Sequence, residues 1–162
     1  MNAPSPFGRH HTTEDVGAGI DLTGIPRVHV AELEHTDRAS TAQILLTVGV
    51  TQHWQDNGIL ANAVNPGAIA TPLQRHVGGT LATPPHLQKT PEQGASTSVF
   101  AAMSPLLQDV GGRYFNDNAE ASVVDVRPHH PEQLAGSVAR HALDPEGADR
   151  LWALSRRLLD EA

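Results

Sequence analysis

A strand followed by a Pro-Gly turn is the stretch of this chain best suited to hold a ligand. The segment from Asn62 to Leu73 reads NAVNPGAIATPL, in which Pro66-Gly67 makes a tight turn and Thr71 follows with a side-chain hydroxyl. Glycine in such a turn lets the backbone approach a flat ligand closely, and a nearby hydroxyl can donate or accept a hydrogen bond. Asn, Pro and Gly are also ordinary turn residues that simply end a strand. The residue types alone leave both interpretations open.

The remaining histidines, hydroxyls and carboxylates form no recognisable catalytic or metal-binding motif. The ten histidines include two adjacent pairs, His10-His11 and His129-His130, but adjacent side chains do not share a face of a helix or strand. A His-x-x-x-His spacing and a Gly-x-Ser-x-Gly elbow are both missing from the sequence. We therefore predict no metal site and no Ser-His-Asp triad.

The composition is typical of one ordinary domain. The chain has 162 residues, of which 39% are hydrophobic and 18% charged, and a chain of this size buries about two-thirds of its unfolded surface. It has no cysteine, which excludes disulfides and thiolate catalysis. A net charge of −7 with scattered arginines argues against a nucleic-acid groove. Since no apolar run is long enough to span a bilayer, we expect a cytoplasmic protein without membrane or nucleic-acid partners.

Hydrophobic patterning predicts strands that alternate with helices. We interpret residues 1–11 as a flexible arm and residues 12–162 as a single domain. Strands are predicted in three short apolar or β-branched segments, which read RVHVAEL, ILANAV and GGRYF. Strand–helix alternation predicts an α/β fold with a parallel sheet.

Four helices are predicted between and around these strands. A short helix begins at Thr12-Thr13 and ends near Ile20. A long helix covers residues 41–57, with Asp37 or Ser40 as its cap and Gly58 as its stop. Its apolar stripe is wide enough for burial on two sides. A third begins after the cap Thr90 and reaches Met103, and the last begins at Asp144-Pro145-Glu146.

Several segments, in order, resemble short-chain dehydrogenases/reductases of the retinol-dehydrogenase-like and WW-domain-oxidoreductase-like branch. The second half of the proteins in that family resembles the segment STAQILLTVGVTQHWQDNGILANAVNPGAIATPLQRH. A later helix and the last strand are resembled by KTPEQGASTSVFAAMSPLLQDVGGRYFNDNAEA, and the closing helix by HALDPEGADRLWALSRRLL. The family's N-terminal lead-in is resembled by FGRHHTTEDVGAGIDLTG. The ordered series is more specific than any single motif.

The resemblance implies a truncated Rossmann-like fold, with a parallel sheet of few strands, flanking helices, and NAD or NADP across the carboxyl ends of the strands. In the family, the Pro-Gly turn lies beside the nicotinamide. Carried over to this chain, Ile69 offers its backbone and Thr71 its hydroxyl to the carboxamide. The cofactor-binding residues so implied are Asn65, Pro66, Gly67, Ile69 and Thr71.

The pyrophosphate-binding loop of the family has no counterpart here. In the family, the lead-in is followed by a strand and a Thr-Gly-x-x-x-Gly-x-Gly loop at a helix N-terminus. Here DLTG is followed instead by IPRVHVAELEHTDRAS. Gly17, Gly19 and Gly24 imitate a glycine fingerprint but precede any predicted strand. We therefore predict a large internal deletion that removed the first half of the nucleotide-binding fold.

The catalytic pair of the family is also missing. The family uses Tyr-x-x-x-Lys, in which the lysine charge lowers the tyrosine pKa so that the phenol relays a proton. Aligned on Thr41-Ala42, the tyrosine position holds Thr36 and the lysine position Ser40. The single tyrosine, Tyr114, and the single lysine, Lys89, lie in different segments. We assign no catalytic residue and expect weak oxidoreductase activity or none.

Three functional classes stay open. The first is an NAD(P)-dependent oxidoreductase by family, with a weak or composite cofactor site. The second is a non-catalytic binding or assembly module, acting as a homo-oligomer or with an intact relative. The third is a different enzyme that binds a small-molecule ligand near the Pro-Gly turn. An uncovered edge on the first strand and a long helix apolar on nearly two faces favour a dimer.

Overall fold

The computed structural model describes residues 28–32, 38–72, 81, 83–126, 128–130, 133–134 and 136–160. The arm predicted for residues 1–11 and the helix predicted to end near Ile20 lie outside them. Groups of strands alternate with helices along the described parts of the chain, and the predicted strand–helix alternation holds for the parallel strands of the main sheet. The elements are β1 (Val28–Glu32), α1 (Arg38–Trp54), β2 (Leu60–Asn65), β3 (Ala68–Ile69), β4 (Gln88–Lys89), α2 (Pro91–Met103), β5 (Tyr114–Asn116), β6 (Ala119–Glu120), β7 (Ser122–Val124), β8 (Ser137–Ala139) and α3 (Pro145–Asp160).

The main sheet of the described residues has four strands in the order β1-β2-β5-β6. β1 and β5 both run parallel to β2, on either side of it. β6 turns back antiparallel to β5 as a hairpin, so the sheet is mixed. Two smaller parallel ladders join β3 to β4 and β7 to β8. The predicted α/β fold with few parallel strands and flanking helices is confirmed, and the hairpin is an addition to it.

β2 is the central strand and is buried on both faces. Ala63 and Val64 are each 0% exposed, and they point to opposite sides of the sheet. The core beside Ala63 includes Ile44 of α1, so α1 covers that face. The core beside Val64 includes Phe100 of α2, so α2 covers the other. A short continuous apolar segment is what a strand covered on both faces requires.

The bounds of α1 differ from those predicted. The helix begins at Arg38 rather than at residue 41, so Ser40 lies inside it and is not the cap; Asp37 lies outside the described residues. Arg and Ala are good helix formers, and they extend the helix before its apolar stripe begins. A 3₁₀ turn over Gln55–Asn57 follows Trp54. Gly58, with φ of 73°, then ends the segment as predicted.

The apolar stripe of α1 is divided between the sheet and α3. Ile44, Thr47 and Val48 are buried, whereas Leu46 and Trp54 are 44% and 43% exposed. A Cβ added at Gly49 would lie 3.3 Å from the Trp152 ring, so α3 packs closely against α1 there. The predicted two-sided burial is confirmed in outline, but Leu46 and Trp54, which belong to the apolar stripe by their sequence spacing, are exposed.

α2 begins as its sequence predicts. The hydroxyl of Thr90 accepts a hydrogen bond from the Gln93 backbone N–H, and the Gln93 side chain accepts one from the Thr90 N–H. This capping box, with Pro91 in the first turn, fixes the first residue of the helix. α3 likewise follows Asp144, whose carboxylate accepts from the Gly147 N–H at 2.9 Å.

Candidate functional site

Asn65 holds the turn at the carboxyl end of β2. Its Oδ1 accepts a hydrogen bond from the Gly67 N–H at 2.9 Å, and its Nδ2 donates to Oδ1 of Asn116 at 3.0 Å. Both asparagines are buried, at 7% and 6% exposure. Since Asn116 is the last residue of β5, the turn is anchored to the carboxyl ends of two parallel strands. Ligands of open α/β sheets bind at this edge.

Gly67 has a backbone conformation that favours glycine. Its φ is 88°, in the left-handed region, where a Cβ clashes with the backbone. A Cβ at this position would also lie 3.0 Å from Cδ and Cε of Lys89. Glycine is therefore favoured here by its backbone conformation and by the nearness of Lys89, whereas the approach of a ligand to this glycine stays a prediction.

Behind the turn, the first turn of α2 packs against Ile69. A Cβ added at Gly94 would fall 2.0 Å from Cδ1 of Ile69 and 3.4 Å from the Pro66 carbonyl oxygen. Gly94 thus allows the N-terminal end of the helix to contact the turn directly. Near this end, a backbone hydrogen bond and then the Thr90 hydroxyl lower the pKa of Glu92.

Lys89 lies at the same edge and was not predicted as a site residue. β4 pairs with β3 so that Lys89 is opposite Ile69. The lysine side chain is 4% exposed and its ammonium forms an ion pair with the carboxylate of Asp117, which is 30% exposed. The sequence around Lys89 does not predict that this residue lies at the carboxyl edge of the sheet, because a two-residue strand carries no periodic signal.

The residue that pairs with Lys89 belongs to the β5–β6 hairpin turn. Asp117 and Asn118 have φ of 50° and 60°, the combination found in type I′ hairpin turns. Asn and Asp tolerate that conformation best after glycine. The sequence FNDNAE carries this turn signal, so the hairpin could have been found from it.

The five predicted cofactor-binding residues lie in one continuous segment at this edge. Asn65 is buried, whereas Pro66, Gly67, Ile69 and Thr71 are partly exposed. The described part of this segment ends at Pro72. The assignment of these residues to a cofactor stays a prediction.

The residues discussed as catalytic substitutes are dispersed. Tyr114 is 1% exposed and packs in the core with Ile44 and Ala63. The Lys89 ammonium forms an ion pair with the Asp117 carboxylate. Thr36 and the glycines of residues 17–24 lie outside the described ranges.

Among the described residues, no group of three or more His, Asp or Glu side chains is arranged to hold a metal ion. Over the same ranges, no helix has the length and apolar character needed to cross a bilayer.

At the surface, the guanidinium of Arg140 hydrogen-bonds to both carboxylate oxygens of Asp125, at 2.6 and 3.3 Å. This contact lowers the pKa of Asp125 and raises the pKa of Arg140.

The chain is similar in sequence to proteins named as oxidoreductases or dehydrogenases. A probable oxidoreductase of Streptomyces lividans is 51% identical over 130 residues, which are 70% of this chain and 41% of the relative. A short-chain dehydrogenase/reductase of Penicillium rubens, prx1, is 35% identical over 160 residues, 93% of this chain and 44% of the relative. Retinol dehydrogenase 14 of Homo sapiens is 32% identical over 114 residues, 66% of this chain and 32% of the relative.

The chain spans less than half the length of these relatives. No family model matches it, and no solved structure gives a significant match.

Proposed function

The chain belongs by homology to the short-chain dehydrogenase/reductase family, and on that premise we propose that it binds the nicotinamide end of NAD or NADP weakly. The binding residues are Asn65, Pro66, Gly67, Ile69 and Thr71. By itself the chain has little or no dehydrogenase activity, because the positions matched to the family's tyrosine and lysine hold Thr36 and Ser40. A hydroxyl without an adjacent cation does not supply the proton relay.

The anchored turn at the carboxyl ends of β2 and β5 supports this proposal. Asn65 satisfies the Gly67 N–H and is itself held by Asn116, so the turn is fixed before any ligand arrives. A preordered turn lowers the entropy cost of binding. Gly67 has no Cβ, which leaves room for the Lys89 side chain against the turn and lets the turn keep the position in which its backbone would meet the nicotinamide ring.

The proposed affinity is low because one half of the cofactor has no matched site. A Gly-rich loop at a helix N-terminus ordinarily holds the pyrophosphate, and the sequence offers none after a predicted strand. The adenosine-diphosphate half of NADH then adds little binding free energy, and the nicotinamide half provides most of it.

Titration of the protein with NADH and NADPH, followed by nicotinamide fluorescence, tests the proposal. We expect saturable binding with a Kd below about 1 mM, a binding free energy beyond about −4 kcal/mol. Absent binding, or binding that Gly67→Ala leaves unchanged, would reject the cofactor site.

A second candidate function is assembly, as a homodimer or with an intact relative. Two features favour it in the described residues: β1 has a neighbour on one side only, and the end of α3 exposes apolar side chains. Leu154, Leu158 and Leu159 are 42%, 56% and 76% exposed. An open strand edge and a row of exposed leucines both favour association.

A further inference from the structure

Lys89 is the only buried charged residue among residues 41–160 for which the structure describes side-chain exposure. Its ammonium pairs with Asp117, and its alkyl stem lies against the Pro66–Gly67 turn. The distances from the Gly67 Cβ position are 3.0 Å to Cδ and Cε of Lys89 and 3.2 Å to Nζ. One side chain therefore contacts both the turn and the β5–β6 hairpin.

Stability alone does not account for a lysine at this position. Removing an ammonium from water is unfavourable, and replacing both partners of a buried ion pair by apolar residues of similar volume often leaves a protein as stable or more stable. A buried ion pair does, however, favour one arrangement of the elements that carry it. Here those elements are β4, which pairs with β3 directly after the turn, and the hairpin turn at Asp117.

We propose that Lys89 is a positioning residue for the ligand site. The ion pair with Asp117 fixes the lysine stem, and the stem fixes the turn at Gly67. Ligand affinity then depends on a carboxylate in the hairpin that follows β5. The identity of the ligand as a nicotinamide cofactor rests on the proposed function, whereas the link from Asp117 through Lys89 to Gly67 does not.

Loss of the ammonium is expected to loosen the turn locally. Lys89→Met keeps most of the stem volume and removes the charge, so the core contacts remain while the tie to Asp117 is lost. Asp117→Asn removes the charge from the other side and keeps a residue that suits the hairpin turn. Binding to a loosened turn includes the cost of ordering it, so the Kd rises.

Amide hydrogen exchange without ligand tests the positioning role directly. In both Lys89→Met and Asp117→Asn, we expect exchange at Gly67–Ile69 to be about tenfold faster while α3 is unchanged; either variant alone tests the proposal if only one of them folds. Arg140→Met is the matched control, because it removes an exposed ion pair, and exchange at Gly67–Ile69 should stay as in wild type. Unchanged exchange at Gly67–Ile69 in both charge variants would overturn the proposal, as would an equal increase throughout the chain.

Titration of the same variants with NADH separates this inference from the proposed function. We expect a higher Kd for Lys89→Met and an unchanged Kd for Arg140→Met. If the wild-type chain binds no NADH, the proposed function fails, while hydrogen exchange still decides the role of Lys89. If wild type binds and Lys89→Met binds equally well despite faster exchange, the link from turn position to affinity is wrong.

Discussion

Asn65 and Asn116 are joined by a buried side-chain hydrogen bond of 3.0 Å between the last residues of β2 and β5. Asn65 also accepts from the Gly67 N–H at 2.9 Å, so its amide is used on both sides. A single side chain thus links the sheet to the proposed ligand-binding turn.

Replacing Asn65 by Ala should destabilise the protein by about 2 kcal/mol, because a buried acceptor on Asn116 and the Gly67 N–H both lose a partner. Urea unfolding at neutral pH measures the change as a lower midpoint with an unchanged slope. Asn57→Ala, at an exposed position, is the control and should lie within about 0.5 kcal/mol of wild type. Equal stabilities for the two variants would contradict the anchoring role of Asn65.

Gly67→Ala and Gly58→Ala should separate backbone strain from the effect on the ligand site. Both glycines have positive φ, 88° and 73°, so each substitution should cost about 1–2 kcal/mol. A Cβ at Gly58 has nothing within 4 Å, whereas one at Gly67 meets Lys89. We therefore expect NADH titration to show weaker binding for Gly67→Ala alone. An equal loss of affinity in Gly58→Ala would show that general destabilisation explains the result.

The two halves of the Lys89–Asp117 pair should not be equivalent. The lysine side chain is 4% exposed and the aspartate side chain 30%. Asp117→Asn therefore leaves the Lys89 ammonium unpaired in the interior, whereas Lys89→Met leaves the Asp117 carboxylate, which reaches water. We expect Asp117→Asn to cost about 3 kcal/mol and Lys89→Met about 1 kcal/mol. Denaturant unfolding of both variants and of the double variant measures the asymmetry. The reverse order would show that the ammonium is not buried in solution.

The Asp125–Arg140 contact should make a small contribution to the free energy of unfolding, and this contribution should depend on pH. Because the pKa of Asp125 is lower in the folded state than in the unfolded chain, the contribution is fully present above the unfolded pKa, about 3.9. It is lost as the pH falls through the folded pKa. Unfolding of Asp125→Asn and wild type should therefore differ at pH 7 and converge in acid. Salt at 1 M should reduce the difference at pH 7, since both groups are exposed.

Assembly predicts that the exposed leucines of α3 control the oligomeric state. Leu158 is 56% exposed, so Leu158→Glu should leave the fold intact and convert a dimer to monomers in sedimentation velocity at micromolar concentration. Ala153→Glu, at another exposed position of the same helix, should leave the dimer unchanged. A folded wild-type monomer at that concentration would reject the assembly function.

Local signals in the sequence located α2 and its first residue correctly. Thr90, Pro91 and Gln93 supply the cap, the first-turn proline and the reciprocal hydrogen bond within four consecutive positions, and no distant contact is needed. The apolar segment ILANAV was likewise sufficient to predict a strand, which is β2. These elements are fixed by interactions between near neighbours or by simple burial.

The position of Lys89 could not be predicted, because it depends on contacts between distant segments. β3 and β4 have two residues each, too few for a periodic signal, and they pair across about twenty intervening positions, with α2 packed on Ile69. The exposed side of α1 could not be predicted for a related reason. Leu46 continues the apolar stripe, but α3 packs nearer to Gly49, and the sequence does not specify which side receives the second helix.

Calorimetric titration with NADH, reduced nicotinamide mononucleotide and ADP-ribose tests the central proposal most directly. If the anchored turn at Gly67 binds only the nicotinamide end, the first two ligands should bind with Kd values within about threefold of each other. ADP-ribose should not bind or compete. An NADH affinity more than about tenfold higher, which is about 1.4 kcal/mol, would show that the chain also holds the pyrophosphate or adenosine. No binding of either nicotinamide ligand would contradict the cofactor site altogether.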